Sequence, residues 1–239
     1  MPNEFLTHLE ELRRRLILVL VVFCVATGVC YFFSQQLVDF FAEPLRRFQG
    51  TELYFQKPYE AFLTHIKVAA VAGLFFSSPV LLGQAWLFLA PGLYPDEKKI
   101  IFPLILASVL LFVGGAVFAY QAVIPWGLRF LLAFQTESLK PLIGIGPYFS
   151  FTLGMLLAFG VLFEFPIVIL GLVQLGVVSP ETLAKSRKVI ILGIFVIAAV
   201  LTPSPDPVSQ LLLAIPLFLL FEASLWLARR LKKPAKKTS

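Results

Sequence analysis

Apolar residues fill most of this chain without the alternation that would leave one wet face on a helix, so the pattern predicts helices surrounded by lipid. A spanning helix needs about 20 predominantly apolar residues, fewer where the bilayer thins. Six nearly charge-free windows meet that need: Leu16–Ser34, Val68–Leu89, Ile100–Tyr120, Phe149–Gly176, Val189–Thr202 and Val208–Leu227. The fourth holds a single interior charge, Glu164, and the sixth carries Glu222 near its end. The predicted fold class is an all-α membrane protein of six transmembrane helices, a single membrane domain over residues 1–239. Window five runs for about 14 residues, or about 21 Å, against a hydrocarbon core of about 30 Å. Window six is bounded by Asp206 and Glu222 and interrupted by Pro216. These last two spans either thin the bilayer or form a re-entrant hairpin buried in protein.

Two long connections, residues 35–67 and 121–148, mix aromatic, Pro and Gly residues and predict ordered caps rather than polar loops. Within the first, apolar positions from Val38 to Phe48 fall near helical spacing, predicting a short interfacial helix that kinks or ends at Pro44. Pro79, Pro103, Pro125, Pro166 and Pro216 lie in or at the edges of the spans, so the helices are expected to be kinked. The apolar run at the N-terminus exceeds a signal-peptide core and is followed by more spans, so it reads as a first span.

Composition agrees with this pattern and removes the soluble alternatives. The chain is 59% hydrophobic and 14% charged, whereas soluble domains run about 45–50% apolar and about 25% charged. The net charge of +6 does not point to nucleic acid, because the basic residues form short clusters between apolar runs, as in a protein facing anionic lipid. Their placement sets orientation, since cytoplasmic segments are enriched in Lys and Arg. With the N-terminus inside, fourteen of the twenty fall on the cytoplasmic side: Arg13 to Arg15, Lys98, Lys99, Lys185, Arg187, Lys188 and six from Arg229 onward. Residues 1–15 and the basic tail 229–239 are then cytoplasmic, with 35–67 and 121–148 as periplasmic caps. Cys24 and Cys30 share the first window and stand about 240° apart on a helix, which prevents their pairing.

No metal-spaced His or Cys cluster, phosphate-binding Gly loop or Ser-His-Asp set is present, so neither an enzyme nor a cofactor or metal is expected. The informative residues are carboxylates in unusual places. Glu164 lies near mid-membrane with no other charge within fifteen residues, where a charge costs about 2.5–3.5 kcal/mol or more. It therefore faces protein, water or a ligand, or is protonated and hydrogen-bonded to a neighbouring helix. Glu10 and Glu11 have the spacing to pair with Arg14 and Arg15. Glu97 reads as a solvated loop charge, yet it shares the basic face with Glu11, where a carboxylate can receive a guanidinium through two parallel hydrogen bonds. Gln84 and Gln174 are placed to hydrogen-bond between helices, and Trp86 and Phe88 to anchor at an interface.

These residues also carry a family resemblance. The run His8-Leu9-Glu10-Glu11-Leu12-Arg13-Arg14-Arg15-Leu16 resembles the N-terminal segment of TatC, the core receptor of the twin-arginine protein translocase. The likeness continues through Trp86 to Tyr94 with Glu97, Ala158 to Pro166, and Leu201-Thr202-Pro203 with Asp206, Ser209 and Gln210. One departure is the turn Pro203-Ser204-Pro205-Asp206, with a residue between the prolines. The resemblance implies a six-span, glove-like protein of the bacterial or archaeal inner membrane that binds the twin-arginine signal peptides of folded cargo. It further implies TatA-type and TatB-type single-span partners, self-association and transport driven by the proton-motive force. By motif it assigns Glu11, Arg13, Phe88 and Glu97 to signal recognition and Glu164 to the concave intramembrane face. Pro44, Asp206 and Gln210 would shape the outer cap and a partner-docking edge. The competing expectation is a proton-coupled small-solute transporter built around Glu164, which would call for an internal repeat and a polar path that the sequence does not show.

Overall fold

The structure, a computed structural model, describes residues 2–48, 53–89, 101–136, 141–174, 177–201 and 207–231. Its contacts divide the chain into two units, residues 1–160 and 161–239, which are taken in turn.

The first unit is built on a pair of long helices, α1 (Pro2–Phe32) and α3 (Glu60–Leu89), packed along one another. Helix α1 is longer than the window that predicted it, because the polar N-terminal segment continues the apolar run without a break. The packing is close because small residues line it, as is usual where lipid supplies no hydrophobic drive for association. Cys30, Ala69 and Ala72 form a buried cluster with Leu37 against it. At Gly73 the approach is closest: a Cβ there would lie 2.7 Å from both the Cα and the N of Thr27.

Pro79 interrupts α3 without breaking it. Proline removes the donor that would meet the carbonyl four residues earlier, here that of Phe75, and the Ser78 hydroxyl donates to that carbonyl at 2.7 Å. Serine beside proline thus keeps the helix satisfied at a buried position.

One residue, Phe33, turns the chain from α1 into α2 (Ser34–Arg46), whose buried positions Val38, Phe41, Ala42 and Leu45 follow helical spacing. A two-residue strand, β1 (Leu53–Tyr54), pairs in parallel with β2 (Ile143–Gly144), a pairing that the hydrophobic pattern does not predict. Helix α4 (Ile101–Phe118) packs on α3, with the Phe75 and Phe112 rings 4.9 Å apart. It runs into a π-helical turn, Ala119–Val123, and then α5 (Ile124–Leu132). Helix α6 (Ile145–Phe163) follows, and Gly160 on it faces the Phe112 ring.

In the second unit, α7 (Phe165–Gln174), α8 (Pro180–Lys185) and α9 (Arg187–Leu201) all pack on α10 (Pro207–Leu231) or its neighbours. Ser179 caps α8 by accepting from the Thr182 amide. An entirely apolar cavity of about 220 Å³ lies among α7, α9 and α10, lined by Phe165, Ile190, Ile194 and Leu217.

Four helical runs among the described residues are long and apolar enough to cross a membrane: Leu9–Phe32, Glu60–Phe88, Phe102–Leu132 and Ile145–Gln174. Helix α9 has 15 residues, about 22 Å of rise, which agrees with the short fifth window.

Candidate functional site

Several of the residues singled out above meet at the end of the α1–α3 pair that carries the Arg13 to Arg15 cluster. Glu11 and Arg15 lie one helical turn apart, in the order that favours an ion pair. Arg15 Nη2 and Nε donate to a single oxygen, Oε1 of Glu11, at 2.6 and 3.0 Å. The same guanidinium reaches across to α3, where Nη1 donates to Gln84 Oε1 at 2.7 Å. Gln84 is therefore an interhelical partner, and the Glu11–Arg15 pairing follows the sequence spacing. Arg15 is 23% exposed and Glu11 36%, so the carboxylate is held in place yet open to a ligand. Arg13 points to the exposed side.

Phe88 is half-buried one turn beyond Gln84 on α3. Trp86 is more than an interfacial anchor: its Nε1 donates to the fully buried Ser108 hydroxyl of α4 at 2.9 Å. Glu97 lies outside the described residues, as does Asp206.

At the opposite end of α1, α2 forms the covering element. Pro44 is buried inside it, and the carbonyl that its missing N–H leaves free is that of Phe40. The Tyr120 hydroxyl donates to that carbonyl at 2.7 Å, and the Tyr120 and Phe40 rings stack 4.7 Å apart. Tyr148 donates to the next carbonyl, of Phe41, at 2.8 Å. Sequence reasoning identified Pro44 but missed both tyrosines, whose contacts span 80 and 107 residues. On the exposed side of α2, Arg46 and Gln35 both donate to Asp39 and hold its carboxyl below its usual 3.8, the Arg46 bond being the larger cause.

Glu164 stands where the fourth window divides. Its amide donates to the Val161 carbonyl, a tightened turn that closes one helix, and its own carbonyl accepts from Val168 to start α7. Pro166, within the first turn of α7, needs no donor there. One carboxylate oxygen of Glu164 is fully buried. Gln210, at the start of α10, donates to the Phe195 carbonyl of α9 at 3.0 Å, and Arg187 pairs with Glu222 at 2.8 Å, tying the same two helices near their other ends.

Among the described residues no group of three or more His, Cys, Asp or Glu is arranged to hold a metal. His65 is occupied with the Ser34 hydroxyl, 3.0 Å away.

The family model described as Sec-independent protein translocase protein (TatC) matches residues 7–216. The chain belongs to the TatC family. TatC of Carboxydothermus hydrogenoformans is 39% identical over 231 residues, covering 97% of this chain and 95% of the relative. TatC of Aquifex aeolicus is 41% identical over 236 residues, covering 96% and 98%. TatC of Escherichia coli K12 is 38% identical over 229 residues, covering 95% and 88%. A crystal structure of the twin arginine translocase receptor TatC in DDM superposes with a TM-score of 0.84 at 41% identity, covering 92% of this chain and 99% of that one. This TatC-family chain is thus a multi-pass, mostly helical membrane protein and a component of a protein translocase.

Proposed function

We propose that this chain is the core receptor subunit of a twin-arginine translocase, with six spans and both termini in the cytoplasm of a bacterium or archaeon. It binds the twin-arginine signal peptides of folded proteins at its cytoplasmic face. It acts by binding rather than by catalysis, and nucleates a translocation site with TatA-type and TatB-type single-span proteins and further copies of itself. The proton-motive force drives the transport step.

The observation that carries this reading is the part-exposed Glu11 carboxylate, fixed by Arg15, which Gln84 in turn holds, at the basic end of α1 and α3. A carboxylate so fixed recognises a guanidinium through charge-assisted hydrogen bonds of about 1.5–3 kcal/mol each. Glu11 and Glu97 serve as the two acceptors, one for each signal arginine, with Arg13 and Phe88 flanking them. Lysine offers a point charge without the planar fork, so the site separates Arg-Arg from Lys-Lys. Glu164 lines the intramembrane face, and Pro44, Asp206 and Gln210 form the outer cap and its docking edge.

The test is binding of a twin-arginine signal peptide and its twin-lysine variant to the purified full chain in detergent. Arg-selective binding that is lost in Glu11→Gln and Glu97→Ala is expected. Equal or absent binding of the two peptides by well-folded protein would overturn the receptor reading.

A further inference from the structure

The Glu11 carboxylate is already occupied by an arginine of the chain itself. Arg15 spends two of its donors, Nε and Nη2, on Oε1 alone, and a third, Nη1, on Gln84. A guanidinium arriving from outside binds a carboxylate best through two parallel bonds, one to each oxygen. To do that at Glu11 it must take Oε1 from Arg15.

We infer that Arg15 is a specificity-determining residue, a resident counter-ion that yields Glu11 only to another guanidinium, while Gln84 retains Arg15 during the exchange. The inference rests on the receptor reading above. Its chemistry follows from the three hydrogen bonds. An incoming arginine replaces both bonds lost on Glu11, and Arg15 keeps its bond to Gln84 at the part-buried junction of α1 and α3. An incoming lysine has no fork to lay across both oxygens. It leaves Arg15 on Oε1, competes for the remaining oxygen, and does so against the positive charge of Arg15 at close range. Arg15 therefore disfavours lysine more than arginine, and Gln84 makes the exchange possible.

The two variants that break the same α1–α3 hydrogen bond are then expected to act in opposite directions. Arg15→Gln leaves Glu11 unpaired: twin-arginine peptide binds about three- to fivefold more tightly, as expected for removing one part-exposed competing charge, and twin-lysine peptide gains more, so the Arg/Lys ratio falls. Gln84→Leu leaves the displaced Arg15 with nowhere to go: twin-arginine binding weakens by a similar factor. Both are measured by fluorescence anisotropy with labelled synthetic peptides on the detergent-purified full chain, alongside Glu11→Gln and thermal melting of each variant. A purely structural role for the triad predicts that both variants shift binding the same way, in step with their loss of melting temperature, and that result would overturn the inference. Wild-type protein that shows no Arg-selective binding, or Glu11→Gln that binds as wild type, would instead sink the receptor reading and the inference together. Weakened binding in Glu11→Gln without tighter binding in Arg15→Gln would sink the inference alone.

Discussion

Gly73→Ala is the smallest change that tests how α1 and α3 are held together. An added Cβ would sit 2.5 Å from Thr27 Oγ1 and 2.7 Å from both the Cα and the N of Thr27. Ordinary carbon contacts lie at about 3.5–4.0 Å, so the two helices must part by about 1 Å at this level. Two of the three contacts are backbone, which no rotamer change relieves, and overpacking of this kind costs about 1–3 kcal/mol. The cluster of Cys30, Ala69 and Ala72 then loses its close packing. The displacement also travels toward the Arg15–Gln84 bond, about 18 Å along the helices, and a 2.7 Å bond stretched by 1 Å is no longer a good one. The assay is thermal unfolding in detergent, followed by twin-arginine peptide binding. Gly28→Ala supplies the control, since a Cβ at that neighbouring position on α1 meets nothing within 4 Å. It is expected to leave stability unchanged or raise it slightly, because alanine suits a helix better than glycine. Thr27→Ala in the Gly73→Ala background removes only the hydroxyl clash and is expected to rescue in part. Gly73→Ala protein that melts and binds like Gly28→Ala would refute the close-packing argument.

Three further outcomes follow from other contacts. Ser108→Ala leaves the Trp86 indole N–H without its partner in a buried position, and a loss of about 1–3 kcal/mol is expected from chemical or thermal unfolding; Trp86→Phe should cost a comparable amount, and the double variant less than the two losses together. A double-mutant cycle on Arg187→Ala and Glu222→Ala should give a coupling of about 0.5–1 kcal/mol, small because both side chains are about one-third exposed or more; no coupling at low salt would show that the pair does not hold α9 to α10. The Asp39 carboxyl is lowered by its bonds from Arg46 and Gln35, so its contribution is present above the unfolded value of about 4 and is lost as pH falls through the folded value. Wild type and Asp39→Asn should therefore differ slightly in melting temperature at pH 7 and converge in strong acid; a difference that grows on acidification would contradict the assignment.

What could be read from the sequence depended on range. Apolar windows located the helices because a lipid-facing helix advertises itself residue by residue, and the basic clusters at Arg13 to Arg15 and Arg187 are equally local. The Glu11–Arg15 pair was legible for the same reason, being one turn apart on one helix. The partner of Gln84 was not, since it lies 69 positions away and any of several helices offered a candidate. The helices extend beyond the apolar windows where a polar stretch continues them, as in residues 2–15 of α1 and 60–67 of α3, and hydropathy does not register that extension. Pro44 signalled a disturbance in α2, but which group would meet the freed Phe40 carbonyl depended on tertiary packing, and it proved to be Tyr120. The division at Glu164 was hidden because hydropathy does not register a tightened turn, although Pro166 two residues on is its local sign. The β1–β2 pairing is two residues long, too short for any alternation to show.

The π-helical turn at Ala119–Val123 acts as a phase shifter for everything after it. A buried series that begins at Phe112, Ala116 and Ala119 would, in an unbroken α-helix, continue through Val123, Trp126 and Phe130. With one extra residue accommodated in the turn, Val123 and Ile124 are both buried, at 4% and 0% exposed, and the series goes on to Leu128 at 5%, while Trp126 is 62% exposed. The chain thus carries the equivalent of a one-residue insertion, and Trp126 faces outward because of it. Deleting a single residue between 119 and 123 would rewind the helix, rotating α5 by about 100°. Such a deletion would carry the buried face of α5 more than a quarter of the way round the helix without altering any of its side chains.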